Sequence, residues 1–484
     1  MIRAFWTHNT DRNEKWFYDK SVWQKMLRAM AGCGFDSVIF ADARPVDGPP
    51  DYRQMLHWIF SAALDYEIAP YVLIDVPGEV GQVDRLTPSV REMVESYSEL
   101  RGVLLSAESQ ALADAIDAAR PDAAIYIRSQ TRRGETAPRV ITRRGGRRIG
   151  YCVKYTGDHL VDANPDPQFA ASVEQVGAEN VLAEFCISNF EPWTSFSYDT
   201  VEGALANLAE LGCDGFSVHP LCAAEWPHTS DTFFKYQWQR DLVWYSVWGG
   251  TGADELVRRG QPKWLARNAR LMPGFEAGSR ILELLSLYFA ADRSAAWRPQ
   301  TCSMADRLLT LEDMLHLENV PGFDALDWWT QITGDRVVHL AEYIAYGTPA
   351  DAYGPEELIE ELTDLSEQAV AAGEKGMRSA SGEKELPSFA RDAFCMGRLG
   401  EFYVERLRAA LSHARGDDSE AVERLTRALG LYREIAEVDC SHREGGNWAG
   451  VLKALEAEHA DAARGVFARN RPDAVRYQVS NNPV

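Results

Sequence analysis

Along the first part of the chain, short apolar runs alternate with stretches in which apolar side chains recur every third or fourth position. The runs are IRAFW (2–6), DSVIFA (36–41), APYVLI (69–74), GVLLSA (102–107), AAIYIR (123–128), IGYCVKY (149–155), NVLAEF (180–185) and DGFSVH (214–219). Most are hydrophobic at nearly every position rather than at alternate ones, the pattern of parallel strands covered on both faces. Between them lie amphipathic stretches. YDKSVWQKMLRAMAGCGF (18–35) sets its apolar residues at helical spacing and ends on a glycine-rich stop. Eight such strand and helix units within about 220 residues predict an α/β fold, a (β/α)8 TIM barrel.

One connection breaks the rhythm. Between the fifth and sixth runs the chain reads SQTRRGETAPRVITRRGGRR, with seven arginines and no apolar stripe, so the helix there is read as missing or degenerate. The stretch is either a solvated loop or an anion-recognising loop at the barrel mouth. After residue 230 strand signals fade and helical patterns fill 232–248, 272–290, 322–346, 355–372, 387–414, 418–437 and 447–467. In GPEELIEELTDLSEQAV, Pro355 suits a first helical turn, and Leu358, Leu362, Leu365 and Ala369 run down one face. GMRSASGEKELP (376–387) reads as a flexible connection. The expected organisation is a barrel over 1–230, a helical domain over 231–375 closing one side of the site, and outer helices over 376–484 that form a homodimer contact or cap the core.

Composition narrows the function classes. A chain of 484 residues that is 46% apolar and 25% charged has the make-up of an ordinary globular protein. Fifty basic against 72 acidic side chains give a net charge of -22, which repels phosphate backbones and anionic lipid and argues against nucleic acid or membrane partners. MIRAFWTHNT shows no secretory signal pattern, and no apolar run approaches the ~20 residues of a membrane span. Eight scattered cysteines without a C-x-x-C pair, several inside strand-like runs such as YCV and EFCI, read as reduced core thiols of a cytoplasmic protein.

In a barrel of this kind catalytic groups stand at the C-terminal ends of strands, so an acid just after an apolar run is informative. Glu108 follows the fourth run in GVLLSAESQ, Asp158 the sixth in VKYTGDH, and Glu184 lies near the end of the seventh in VLAEFCIS. Singly, each reads equally as a helix N-cap or an arginine's partner. Glu184 resists that reading most, flanked by Ala183, Phe185 and Ile187, where an unpaired charge is costly. Together the three face one mouth and suit glycosidic bond cleavage, in which one carboxylic acid protonates the leaving oxygen and a second carboxylate attacks the sugar or activates water.

Arg128 ends the fifth run and Lys154 nearly ends the sixth. They either neutralise the acids or hold an anionic substrate group, Arg128 as a bidentate fork and Lys154 as a point charge. Aromatic segments FWTHNTDRNEKWFY (5–18), FEPWTSFSY (190–198) and AEWPHTSDTFFKYQW (224–238) follow the first, seventh and eighth runs, bringing Trp6, His8 and Trp193 toward the mouth. Sugar rings pack their C–H faces on such side chains. Trp238, Trp244 and Trp248, at helical spacing, read instead as packing between barrel and helices.

The order SAESQ, YIR, VKYTGDH with NPDPQF, LAEFCIS, EWPHT and KYQWQRDLVWYSVW resembles the bacterial α-glucuronidases of glycoside hydrolase family 67 over roughly residues 1–260. The resemblance implies an inverting, exo-acting hydrolase with a TIM barrel and a helical domain, one that releases glucuronic acid from xylan fragments without a cofactor. It implies Glu108 as general acid and Asp158 with Glu184 as the carboxylates that activate water. Arg128 and Lys154 would contact the sugar carboxylate, and Trp226 and His228 would line the subsite. This sequence departs from the family in carrying Leu104 where a lysine is usual and a shorter loop after Lys154, which brings His159 and Asp162 into consideration for the place of Asp158. Two other classes compete: a catalytically silent sugar-binding barrel, and a metal-dependent barrel enzyme using His8, His219 and His228, for which no spaced ligand motif such as H-E-x-x-H is present.

Overall fold

The structure is a computed structural model. It describes residues 1–129, 149–220, 225–250, 272–289, 297–378, 385–440 and 448–468, apart from 13, 46–47, 157–159, 161, 187–189, 191, 194, 196–197, 305–306, 321–322 and 324–335. The arginine-rich stretch between the fifth and sixth strands therefore lies outside the described residues.

Eight parallel strands close into a barrel in chain order: β1 (Ile2–Thr7), β2 (Ser37–Phe40), β3 (Ala69–Ile74), β4 (Gly102–Leu105), β5 (Ala124–Ser129), β6 (Gly150–Lys154), β7 (Val181–Cys186) and β8 (Gly215–His219). β8 pairs back onto β1 with Ala4 opposite Ser217. The near-continuous apolarity of the runs has its cause in two separate cores. Phe5, Val38, Val72, Val103, Ile125, Tyr151, Ala183 and Val218 point outward into the layer shared with the helices. Ala4, Trp6, Ile39, Tyr71, Leu104, Tyr126, Cys152 and Leu182 point inward and fill the barrel. At the N-terminal end of the barrel the Tyr126 hydroxyl bonds Asp214. Methyl groups at Gly102 and Gly150 would run into the rings of Tyr71 and Tyr126, so these strands begin on glycine because a tyrosine fills the space beside each.

The helices α1 (Lys20–Cys33), α2 (Pro50–Asp65), α3 (Val80–Ser96), α4 (Gln110–Ala119), α5 (Pro167–Val176) and α6 (Tyr198–Leu211) follow β1, β2, β3, β4, β6 and β7. α1 starts where the Asp19 carboxylate accepts the Ser21 N–H, and stops at Gly34, whose φ of 101° is in the left-handed region that glycine adopts without strain. Asp166 caps α5 by accepting the Gln168 N–H, with Pro167 at its first turn. Asp162 turns the preceding chain by accepting the Asn164 N–H at 2.6 Å. Part of the acidic, proline-rich run after β6 is thus turn and cap chemistry.

Beyond β8 helices predominate among the described residues, as the pattern predicts, beside two small sheets of two-residue strands (Trp297–Arg298, Ser303–Met304 and Arg307–Leu308; Arg336–Val337 and Ala352–Tyr353), with α7 (Gln237–Arg240) and α8 (Leu242–Trp248) leading from the barrel. Longer helices follow at Met272–Tyr288, Pro355–Met377, Glu385–Ala414, Asp418–Cys440 and Trp448–Ala462. Of the helix expected over 322–346, only Leu340–Tyr346 is helical among the described residues. Trp248 packs on Phe185 of β7, with ring centroids 4.7 Å apart, and Trp244 meets Phe275 edge-on at 5.6 Å, so these tryptophans join barrel to helices. Arg240, fully buried, fastens the same junction through Asp392 at 2.9 Å, Asp231 at 3.6 Å, Asp241 at 3.6 Å and the Pro192 carbonyl at 3.1 Å. No helix among the described residues is long and apolar enough to cross a membrane. The described cysteines carry free thiols, and Cys33, Cys152, Cys213, Cys302 and Cys395 are buried.

α8 ends on Gly249, whose carbonyl accepts Arg3 Nη1–H at 2.7 Å and whose Cα lies against the Cys33 carbonyl at the end of α1. A methyl group there meets backbone that cannot rotate away. Gly249→Ala should lower the urea midpoint at an unchanged slope, by an amount worth about 1–3 kcal/mol. An unchanged midpoint would show that the α1–α8 contact yields at no cost.

Candidate active site

Inward positions near the C-terminal ends of β5 to β8 and β1 are polar where the lower barrel is apolar. Arg128 is the penultimate residue of β5, Cys152 and Lys154 lie on β6, Glu184 on β7, His219 ends β8, and His8 follows β1. Strand register sets Lys154 opposite Glu184, and Glu184 opposite Ser217. The neighbours are thus fixed by backbone pairing before any side chain is considered.

Glu184 is only 4% exposed, and its carboxylate is engaged on both oxygens. Arg128 donates from Nε to Oε2 at 2.8 Å and from Nη2 to Oε1 at 2.7 Å, a bidentate fork. His219 Nε2 lies 3.3 Å from Oε1, and the Cys152 thiol donates to Oε2 at 3.5 Å. A carboxylate has about four lone-pair directions, and these contacts take them up. Burial by itself raises the Glu184 pKa, but Arg128 and His219 outweigh it and hold the carboxyl well below its ordinary range. Burial and the adjacent Glu184 charge push the Cys152 thiol well up, so it remains protonated. Sequence reasoning offered Arg128 as either substrate clamp or neutralising partner. The structure shows the neutralising pair.

Beneath this pair Trp6 is fully buried, stacked on His219 with ring centroids 4.2 Å apart and planes at 16°. The Arg128 guanidinium stands 5.1 Å over the same indole. Trp6 is accordingly a floor for the ionic cluster rather than an open platform. His8 is buried beside it, with Nε2 3.3 Å from His219 Nδ1.

The other expected site residues divide. Glu108 is exposed in the turn between β4 and α4, and the N-cap of α4 is the neighbouring Ser109, so the cap reading of Glu108 does not apply. Lys154 is half-buried at the end of β6. Asp158 and His159 lie outside the described residues. Trp193 is placed elsewhere: fully buried, it stacks on Trp448 at 5.4 Å, and both indoles donate to Asp439, at 2.9 and 2.8 Å, so it ties the β7 loop to the outer helices. Trp226 is buried too, and it contributes its carbonyl, which accepts Asn9 Nδ2–H at 2.7 Å. His228 is exposed and faces Glu14 at 3.0 Å, apart from the contact that joins His8 and His219. Among the described residues no group of three or more His, Cys, Asp or Glu side chains is placed to hold a metal ion. Leu104 is fully buried in the barrel interior and packs as an aliphatic core residue.

Asp42, just after β2, is the residue sequence reasoning missed. Its Oδ2 accepts the Asn9 N–H at 2.7 Å and lies 3.9 Å from His8 Nδ1, with 42% of the side chain exposed. The signal, an acid directly after an apolar run, is the one that selects Glu108. Asn9 itself has a φ of 56°, a left-handed conformation that asparagine tolerates and that is held here by its bonds to Asp42 and Trp226.

No family model matches the chain, and no curated protein matches its sequence. Among solved structures it is similar to a "GH138 enzyme targeting pectin rhamnogalacturonan II", at a TM-score of 0.75 and 15% identity, covering 95% of this chain and 67% of that one. What the two share is the fold. The likeness takes in the helical region as well as the barrel. "Structure of CpGH84B" is similar at a TM-score of 0.42 and 10% identity over 95% of this chain and 76% of that one, and "Structure of CpGH84D" at 0.38 and 12% over 91% and 72%. These looser likenesses carry no argument about the site.

Proposed function

We propose that this chain is an exo-acting, inverting glycoside hydrolase whose substrate carries an α-linked uronic acid, in the manner of the α-glucuronidases its motifs resemble. The observation that carries the reading is the buried Arg128–Glu184 pair with His219 at the C-terminal mouth of a closed barrel. Ionic groups there displace aliphatic packing that would stabilise the barrel at least as well, and such a cost is met at functional sites. The similar fold of an enzyme described as targeting pectin rhamnogalacturonan II supports a polysaccharide-derived substrate.

Roles follow from environment. Glu108, exposed at the mouth, is the general acid. Glu184, held ionised with its lone pairs occupied, is a poor proton acceptor, and it supplies fixed negative charge near a sugar that turns cationic in the transition state. Activation of water therefore falls to Asp158. With Arg128 committed to Glu184, the cation for the sugar carboxylate is Lys154. A cytoplasmic enzyme of this kind would act on small imported oligosaccharides.

Proton NMR of aryl α-glucuronide, α-galacturonide and neutral α-glycosides tests the proposal. The uronides should be cleaved in preference, with the β-anomer of the free sugar appearing first. First appearance of the α-anomer would replace inversion by retention, and preference for a neutral sugar would remove the role of Lys154. The saturation of Glu184 favours one other reading, a silent sugar-binding barrel, which binding without turnover of any of these substrates would establish.

A further inference from the structure

The His8–His219 contact takes no part in the roles above, yet it joins three strands at the one atom group on which the site turns. Both imidazoles are buried, at 8% and 1% exposure. Burial holds His219 down to about 4 despite the adjacent Glu184 charge, with Arg128 and Lys154 adding to the effect. Burial, then His219 and Arg128, hold His8 well below its ordinary value. At neutral pH each ring is therefore neutral and has one donor and one acceptor nitrogen.

With one proton per ring, the neighbours decide where each sits. His219 Nε2 lies 3.3 Å from Glu184 Oε1 and 3.5 Å from Arg128 Nη2. Arg128 can only donate and would be met by an unprotonated Nε2, but at 3.5 Å it is the longer contact and its Nη2 already bonds Oε1 at 2.7 Å, whereas a bare Nε2 would set its lone pair 3.3 Å from a buried carboxylate. The proton is therefore assigned to Nε2, and Nδ1 is left to accept. The partner of Nδ1 is His8 Nε2 at 3.3 Å, which must then donate. The remaining nitrogen, His8 Nδ1, stands 3.9 Å from Asp42 Oδ2, beyond hydrogen-bond reach, so it can be left bare. Trp6 stacked on the His219 ring opposes any tilt that would break the sequence.

We propose that His219 and His8 are positioning residues of this mouth. A one-way chain of hydrogen bonds, His8 Nε2–H to His219 Nδ1 and His219 Nε2–H to Glu184 Oε1, fixes the β7 carboxylate from a second direction. The Arg128 fork grips Glu184 edge-on, and His219 adds a donor on another lone pair of Oε1, so the carboxylate can neither slide along the fork nor rotate out of it. Histidines here orient an acid, where an acid more often orients a histidine.

The kinetic consequence rests on the reading of this mouth as a sugar site; the proton positions do not. Long-range ¹H–¹⁵N NMR of the full chain labelled at histidine, at pH 7, should show both imidazoles as the Nε2–H tautomer, each assigned from its single substitution. His8→Leu removes the donor to His219 Nδ1, and the Nδ1–H tautomer of His219 should grow in. His8→Gln places an amide N–H where Nε2–H was, and should restore the native tautomer. On a substrate that the native enzyme cleaves, kcat should fall about tenfold in His8→Leu and recover in His8→Gln, with KM changed by no more than about twofold in either. An Nδ1–H tautomer for His219 in the native protein, or an unchanged His219 tautomer in His8→Leu, would overturn the chain. A native protein that cleaves no sugar would overturn the functional reading alone, and the tautomers would still decide this one.

Discussion

Replacing Arg128 by methionine should lower the stability of the fold at pH 7 by about 3–5 kcal/mol, read as a fall in the urea midpoint. Methionine keeps an apolar stem but removes the guanidinium, and with it the cation over Trp6 and both donors to the Glu184 carboxylate, which is 4% exposed and among the described residues has only His219 and Cys152 left to compensate it. The loss measures an abandoned charge more than the worth of the pair. Arg128→Met combined with Glu184→Leu should therefore recover most of it, because an apolar pair of similar volume costs no desolvation.

The pH dependence should change sign between the two proteins. In the native chain the Glu184 pKa is depressed below the 4.5 of an ordinary glutamate, so its contribution is complete above that value and is lost as pH falls through the folded-state pKa. Without Arg128 the burial that raises this pKa prevails. The variant should then be least stable at neutral pH and should recover part of its deficit on acidification, as Glu184 takes up a proton. A deficit constant from pH 7 down to pH 4 would show that the carboxylate finds another partner when the guanidinium is removed.

The fold was legible because both-face burial writes itself into each strand separately. Val38, Ile39 and Phe40 announce a parallel strand without reference to any other segment, since whichever way each side chain points it meets a core. Glu184 was legible for the converse reason: a charge in VLAEFC violates that rule and must have a partner. Its partner was not legible. Arg128 lies 56 positions away, and His8 and His219 are 211 apart, joined only because β8 closes on β1. A strand-end arginine looks the same whether it faces a ligand or a neighbouring acid, and the barrel's closure decides which.

Trp193 shows the same limit from the other side. In FEPWTSF it has the sequence surroundings of an aromatic at a sugar mouth, and its actual neighbour, Trp448, arrives with a helix from the far end of the chain. Asp439 between them accepts both indole N–H groups, which makes burial of two tryptophans affordable in hydrogen-bond terms. No local pattern carries that information. Asp42 is different: the strand-end rule covers it, and the pattern that picked out Glu108 and Asp158 applies to it without change.

The largest kinetic effect is expected at Glu108. Glu108→Gln keeps the shape of the side chain in the turn before α4 but removes its proton, and with it the means of stabilising a departing alkoxide. On a natural or alkyl glycoside, whose leaving oxygen is strongly basic, kcat/KM should fall about 10²–10⁴-fold. On an activated aryl glycoside the leaving group needs no proton, and the loss should stay within about tenfold. Asp158→Asn supplies the contrast, because the attacking water must be activated whatever departs, so both substrates should suffer alike. The discriminating quantity is the ratio of the two losses within each variant, which is insensitive to how much correctly folded enzyme a preparation contains. Equal losses in Glu108→Gln would remove Glu108 from the acid role and turn attention to the remaining carboxylates of the mouth, Asp42 first, since it is the half-exposed acid held in place there by Asn9.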